Sequence, residues 1–234
     1  MPDVIVALDF ASAGEALRLV ERLGDGADFY KVGLELYTRA GPALVRDLTG
    51  RRKRVFLDLK LHDIPNTVTG AVRAATDLGV ELLTVHTTGG RRMMETAAAA
   101  AGEHVRLLGV TLLTSLSPSD VEGTWGRSIG SLREEVVRLA TLARDSGLKG
   151  IVASAQEAQA VRRRLGKEMF IVTPGIRLPG SDAHDQARVA TPAQAARAGA
   201  DYLVIGRAVT GAPDPAAALD KVRRSLEPTP RSKA

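Results

Sequence analysis

The strongest constraint on this 234-residue chain is an alternation that runs from end to end: short β-branched runs, each followed by a longer segment of helical spacing. The runs are Val4–Phe10, Phe29–Leu34, Val55–Lys60, Leu82–His86, Leu107–Leu113, Gly150–Ala153, Phe170–Pro174 and Tyr202–Gly206. Between them, Glu15–Leu23, Val68–Leu78, Arg92–Ala101 and Ser131–Asp145 read as helices, the last being the longest and most regular. Eight βα units in a chain of this length imply a closed parallel α/β structure, a single (β/α)8 TIM barrel. An open doubly wound sheet is the alternative, but no Gly-rich dinucleotide fingerprint follows the first run. No linker divides the chain, so one domain is expected over residues 1–227. Pro228–Ala234, Pro-rich and polar, is expected to be a flexible tail.

Composition removes several function classes. The chain has no cysteine, so neither a disulfide framework nor a thiolate metal site is available. No apolar run approaches the length of a membrane span, and the first residues lack a basic stretch followed by an apolar one. The expectation is a cytoplasmic protein with no membrane partner. A net charge of +5 and a pI near 9.8 raise the possibility of a basic nucleic-acid-binding module. The basic residues are scattered, however. Arg51-Arg52-Lys53-Arg54 precedes a strand, and Arg162-Arg163-Arg164 ends a helix, where cations complement the dipole. Aromatics at 3% leave few stacking platforms for single strands, so no nucleic-acid partner is expected.

Barrels of this kind build their sites at the C-terminal ends of the strands, and the third strand carries the densest signal there. With a period of two, Val55, Leu57, Leu59 and Leu61 share an apolar face, while Phe56, Asp58, Lys60 and His62 share the face toward the barrel interior. Charges inside a barrel are costly unless paired or used. Asp58 and Lys60 can be a structural ion pair. Asp63, just beyond the strand, adds a second carboxylate, and carboxylates beside a lysine favour its ammonium form. The result is a positioned proton donor between two negative charges.

Two other strand ends suit an anion. The seventh run leads into Pro174-Gly175-Ile176-Arg177 and the eighth into Gly206-Arg207. Glycine lets backbone N–H groups approach a phosphate, and arginine adds charge-assisted hydrogen bonds. The connection Leu178–Thr191 is long for a compact barrel, and such loops are often lids. The first strand ends at Asp9, which by itself reads equally as a helix cap. The second offers Lys31 on the inward parity of Phe29 and Gly33. His86, on the fourth strand after Thr84 and Val85, reads as structural. The histidines have no metal-ligand spacing.

Asp58-x-Lys60-x-x-Asp63 followed by Ile64-Pro65-Asn66-Thr67 resembles the signature of the orotidine 5′-phosphate decarboxylase family, and the likeness extends through the other strand ends over nearly the whole chain. The resemblance implies decarboxylation of orotidine 5′-monophosphate to uridine 5′-monophosphate and CO2 in de novo pyrimidine biosynthesis, with no cofactor and no metal. It implies a catalytic group of Lys60, Asp58, Asp63 and Lys31, with Lys60 as the proton donor. Asp9 is implied as a ribose ligand that supports the charge array. Thr114 is implied as the hydroxyl contacting the pyrimidine ring, with Ser115 a close competitor. Pro174, Arg177, Gln186, Gly206 and Arg207 are implied around the phosphate. It implies further a homodimer with shared active sites, in which Asp63, Ile64 and Thr67 reach into the partner's site. The nearest rivals are metal-dependent sugar-phosphate decarboxylases and aldolases on the same barrel, which carry a related Asp-x-Lys-x-x-Asp strand.

Overall fold

A computed structural model describes residues 1–178 and 189–227. Gln186 and the segment 228–234 therefore lie outside the described residues. The strands are β1 (Asp3–Leu8), β2 (Phe29–Gly33), β3 (Arg54–Leu61), β4 (Leu82–His86), β5 (Arg106–Val110), β6 (Gly150–Val152), β7 (Phe170–Thr173) and β8 (Tyr202–Ile205). They pair in parallel in sequence order, and β8 closes onto β1. The main helices on the outside are α1 (Ala13–Leu23), α2 (Leu34–Gly50), α3 (Pro65–Asp77), α4 (Arg91–Ala101), α5 (Pro118–Trp125), α6 (Leu132–Asp145) and α7 (Ala155–Leu165). α8 (Pro192–Arg197), α9 (Arg207–Thr210) and α10 (Pro215–Arg224) complete the ring. Among the described residues no helix is long and apolar enough to cross a membrane.

Local chemistry sets the helix starts. Ser131 accepts a hydrogen bond from the Glu134 N–H, and Glu134 and Glu135 lie in the first turn of α6. Pro65 opens α3, where its missing N–H has no intrahelical partner to lose.

Several strands stop earlier than their apolar runs. β5 ends at Val110 rather than Leu113, because β6 has only three residues and Val110 pairs with Val152, its last. β1 ends at Leu8, its last partner being Val32 of β2. Gly206 leaves β8 to cap α9 with a φ of −100° and a ψ of −115°. Asp9, Thr114 and Gly206 accordingly sit on loops just above the barrel rather than on its ladder.

Alternation along the strands divides the core in two. Ile5, Ala7, Phe29, Phe56, Leu82, Leu108, Val172, Tyr202 and Val204 fill the barrel interior. Their neighbours Val4, Val6, Leu8, Tyr30, Val32, Val55 and Leu57 pack outward against the helices. The N-terminal end of the barrel is closed by charge. The Arg54 guanidinium donates to both Glu81 oxygens at 2.7 and 2.8 Å and to Asp3 at 2.6 Å. It also lies 4.0 Å above the Phe29 ring. Arg106 donates to the Tyr202 hydroxyl at 2.8 Å and covers Phe170. With that end sealed, the opposite end is the face open to ligands.

Arg54→Met keeps most of the stem but leaves Glu81 and Asp3 without their partner. The expected cost is about 2 kcal/mol, seen in a thermal melt as a fall in Tm of roughly 4–8 °C for a domain of this size. Turnover per folded molecule should be unchanged, because Arg54 lies at the sealed end, opposite the open face.

Candidate active site

The cleft at the C-terminal end of the barrel collects Asp9, Lys31, Asp58, Lys60, Thr114, Pro174, Gly175, Arg177, Gly206 and Arg207. Its remaining wall is apolar, with Phe56, Val110, Leu112, Val152, Val172 and Val204. Charges set against such a wall interact more strongly than they would in water.

Two ion pairs organise the charged side. Lys31 Nζ lies 2.9 Å from Asp9 Oδ1, and Lys60 Nζ lies 2.9 Å from Asp58 Oδ2. The Lys31 side chain is 12% exposed and that of Asp58 15%, so both need their partners. A glycine leaves room for the first pair: a Cβ at Gly33 would stand 2.9 Å from Lys31 Nζ where it reaches Asp9. The other Asp9 oxygen faces Gly206, where a Cβ would be 3.5 Å away.

The second pair depends on a break in the sheet. β3 and β4 are in register at Leu57–Leu83 and again at Leu61–Val85. Asp58, Leu59 and Lys60 thus stand opposite Thr84 alone. Lys60 takes a left-handed φ of 51°, which among the described non-glycine residues only Arg52 shares. Such a conformation costs about 1–2 kcal/mol for an L-residue. Thr84 meets both groups: the Lys60 N–H donates to its oxygen at 2.8 Å, and its hydroxyl donates to Asp58 Oδ1 at 2.9 Å.

This bulge corrects the simple alternation. His62 does not continue the inward face. It leaves the cleft and stacks on His86, with ring centroids 5.3 Å apart. Thr88 Oγ1 lies 2.7 Å from His86 Nδ1. Burial, and then the neighbouring His62 and Lys60, hold the His86 imidazole below its ordinary value. Asp63 is also displaced. Its carboxylate accepts from the Ile64 N–H at 2.6 Å, and with His62, Ile64 and Pro65 it borders a separate groove on the rim. Within one chain Lys60 is therefore paired with Asp58 and not flanked by Asp63, because the chain turns out of the barrel after Lys60 to start α3 at Pro65. Ile64 and Thr67 are exposed beside it.

On the far side, Thr114 lines the cleft while Ser115 is exposed outside it. Gly175 has a φ of 75°, and Arg177 Nη1 donates to the Ile176 carbonyl at 3.0 Å. Thr84 was not singled out from the sequence. Its signal is a hydroxyl at an inward position within the otherwise apolar run Leu82–Val85. Among the described residues no three His, Cys, Asp or Glu side chains converge as a metal site requires.

A sequence model of the "Orotidine 5'-phosphate decarboxylase / HUMPS family" matches residues 2–222. Orotidine 5′-phosphate decarboxylase of Vibrio parahaemolyticus is 49% identical over 227 residues, covering 95% of this chain and 97% of that one. The Moorella thermoacetica enzyme of the same name is 49% identical over 232 residues, or 96% and 92% of the two chains. The crystal structure of orotidine 5′-phosphate decarboxylase from Lactobacillus acidophilus superposes with a TM-score of 0.87 at 36% identity, covering 97% of this chain and all of that one.

The depressed His86 has a consequence for stability. The unfolded chain takes up its proton near the ordinary value of 6.5 and the folded chain only at lower pH. In that window the unfolded state binds more protons, so stability present above it is lost as pH falls. The urea midpoint should drop between about pH 7.5 and 5.5, and His86→Gln should make that drop smaller. Equal drops in both proteins would contradict the assignment.

Proposed function

The chain belongs to the orotidine 5′-phosphate decarboxylase/HUMPS family, and on that premise we propose that it converts orotidine 5′-monophosphate to uridine 5′-monophosphate and CO2, with Lys60 as the proton donor and no cofactor. The observation that carries this reading is the Lys60–Asp58 pair, held at 2.9 Å in a cleft that also contains Lys31, Asp9 and two Gly–Arg strand ends.

In the reaction the bond from the ring carbon to the carboxylate breaks, and its electron pair stays on the ring carbon. CO2 departs and a proton from Lys60 Nζ forms the new C–H bond. The lysine acts as general acid, and its charge stabilises the negative charge that develops as CO2 leaves. Asp58 pairs with the Lys60 ammonium at 2.9 Å and orients it, and stands beside the departing carboxylate. Lys31 and Asp9 hold the ribose and complete the alternating charge array. Thr114 contacts the pyrimidine ring. Pro174, Arg177, Gly206 and Arg207, together with Gln186, receive the phosphate, where binding energy remote from the reacting carbon can be used to assemble the site.

The working unit in this reading is a cytoplasmic homodimer. Asp63, Ile64 and Thr67 of one copy complete the cleft of the other, which supplies the second carboxylate beside Lys60. Support comes from the rim, where Ile64 is 66% exposed and Leu34 63% exposed, both large apolar side chains in contact with water.

The test follows the ultraviolet absorbance of orotidine 5′-monophosphate with purified protein in chelator. Wild-type protein should consume it, and Lys60→Ala should be slower by about 10²–10⁴-fold. No turnover by folded, dimeric wild type would rule out the decarboxylation. Consumption lost only in chelator would show a metal-dependent reaction and contradict the cofactor-free reading.

A further inference from the structure

Thr84 is fully buried inside the barrel, yet the reaction described above assigns it nothing. Its two hydrogen bonds have a fixed sense. The Lys60 backbone N–H can only donate, so the Thr84 oxygen accepts there, and the single hydroxyl proton goes to Asp58 Oδ1. The other oxygen of Asp58 takes the Lys60 ammonium at 2.9 Å. The backbone and the side-chain terminus of Lys60 are thereby joined to one carboxylate through one hydroxyl, in a closed ring.

We propose that Thr84 is a positioning residue for the decarboxylation, orienting Asp58 and Lys60 together. The proposal rests on the reading of Lys60 as proton donor. Opposite Thr84 the β3–β4 ladder is out of register, so the Lys60 N–H is satisfied by this side chain in place of a strand carbonyl. That contact holds Lys60 at its left-handed φ of 51°. The bond to Oδ1 fixes the rotation of the Asp58 carboxylate and keeps Oδ2 facing the ammonium. Without the hydroxyl, the carboxylate can rotate, the backbone can leave the left-handed conformation, and the ammonium loses its aim at the ring carbon. Pro174, Arg177, Gly206 and Arg207, proposed to bind phosphate, follow β7 and β8 across the barrel and are untouched by the change.

Steady-state kinetics with orotidine 5′-monophosphate and thermal melts of wild type, Lys60→Ala, Thr84→Val and Thr84→Ser separate positioning from packing. Thr84→Val keeps the shape and removes the hydroxyl, and Thr84→Ser keeps the hydroxyl and removes a methyl. Thr84→Val should lower kcat by roughly 10–100-fold, as misplacement of a reacting group by about an ångström does, with KM changed by less than about threefold. Thr84→Ser should stay within about threefold of wild type in kcat. A folded Thr84→Val with wild-type kcat, a rise in KM at unchanged kcat, or a Thr84→Ser as slow as Thr84→Val would overturn the proposal. Should Thr84→Val not fold, Thr84→Ala is judged on the same thresholds. An inactive wild type, or a Lys60→Ala as fast as wild type, removes the underlying reading and the proposal with it. A slow Lys60→Ala beside a fast Thr84→Val removes the proposal alone.

Discussion

The ion pair between Lys60 and Asp58 is the interaction on which the rest of the site depends. An ammonium and a carboxylate at the mouth of an apolar barrel are tolerable only if each keeps its partner and its hydrogen bonds. The carboxylate has both: Oδ2 faces Lys60 and Oδ1 accepts from Thr84. The sheet yields to make this possible. Three residues of β3 stand against one of β4, and a lysine adopts a backbone conformation ordinarily left to glycine. Strain of this kind persists where the surroundings over-determine it, and it gathers at functional sites.

The remainder of the barrel supports that arrangement at a distance. The Arg54 and Arg106 clusters close the N-terminal end, and the interior layer of Ile5, Phe29, Phe56, Leu82, Leu108 and Tyr202 fills the space above them. The open end therefore has a rigid floor. Lys31 on β2 and Asp9 just beyond β1 form a second pair, with room for the ammonium left by the missing side chain of Gly33. The Gly–Arg ends of β7 and β8 stand across the opening. A ligand with a ring at one end and a phosphate at the other spans these two regions, so affinity from one can be used to hold the reacting carbon at the other.

Much of this was legible in the chain because barrel strands keep a strict period of two. That period places Phe29 and Lys31 on one face of β2, and Phe56 and Asp58 on the matching face of β3. It fails where the ladder loses register. Nothing local to Asp58–Asp63 signals the left-handed Lys60, since the hydroxyl that holds it lies 24 residues away on β4. His62 and Asp63 leave the cleft for the same reason, and their positions follow from the turn into α3 rather than from alternation. The sequence places the end of β5 too far along because Leu112 and Leu113 continue the apolar run past Val110, the last residue with a partner on the three-residue β6. Gln186 falls in a segment outside the described residues.

In the proposed reaction Lys60 carries the proton to the ring carbon. If it does, then in reverse it is the base that removes that proton from the product. Uridine 5′-monophosphate incubated with the protein in D2O, followed by proton NMR, tests this without CO2 chemistry. Wild-type protein should exchange the hydrogen on the carbon that bore the carboxylate, and Lys60→Ala should not. Exchange by Lys60→Ala at the wild-type rate would contradict the account.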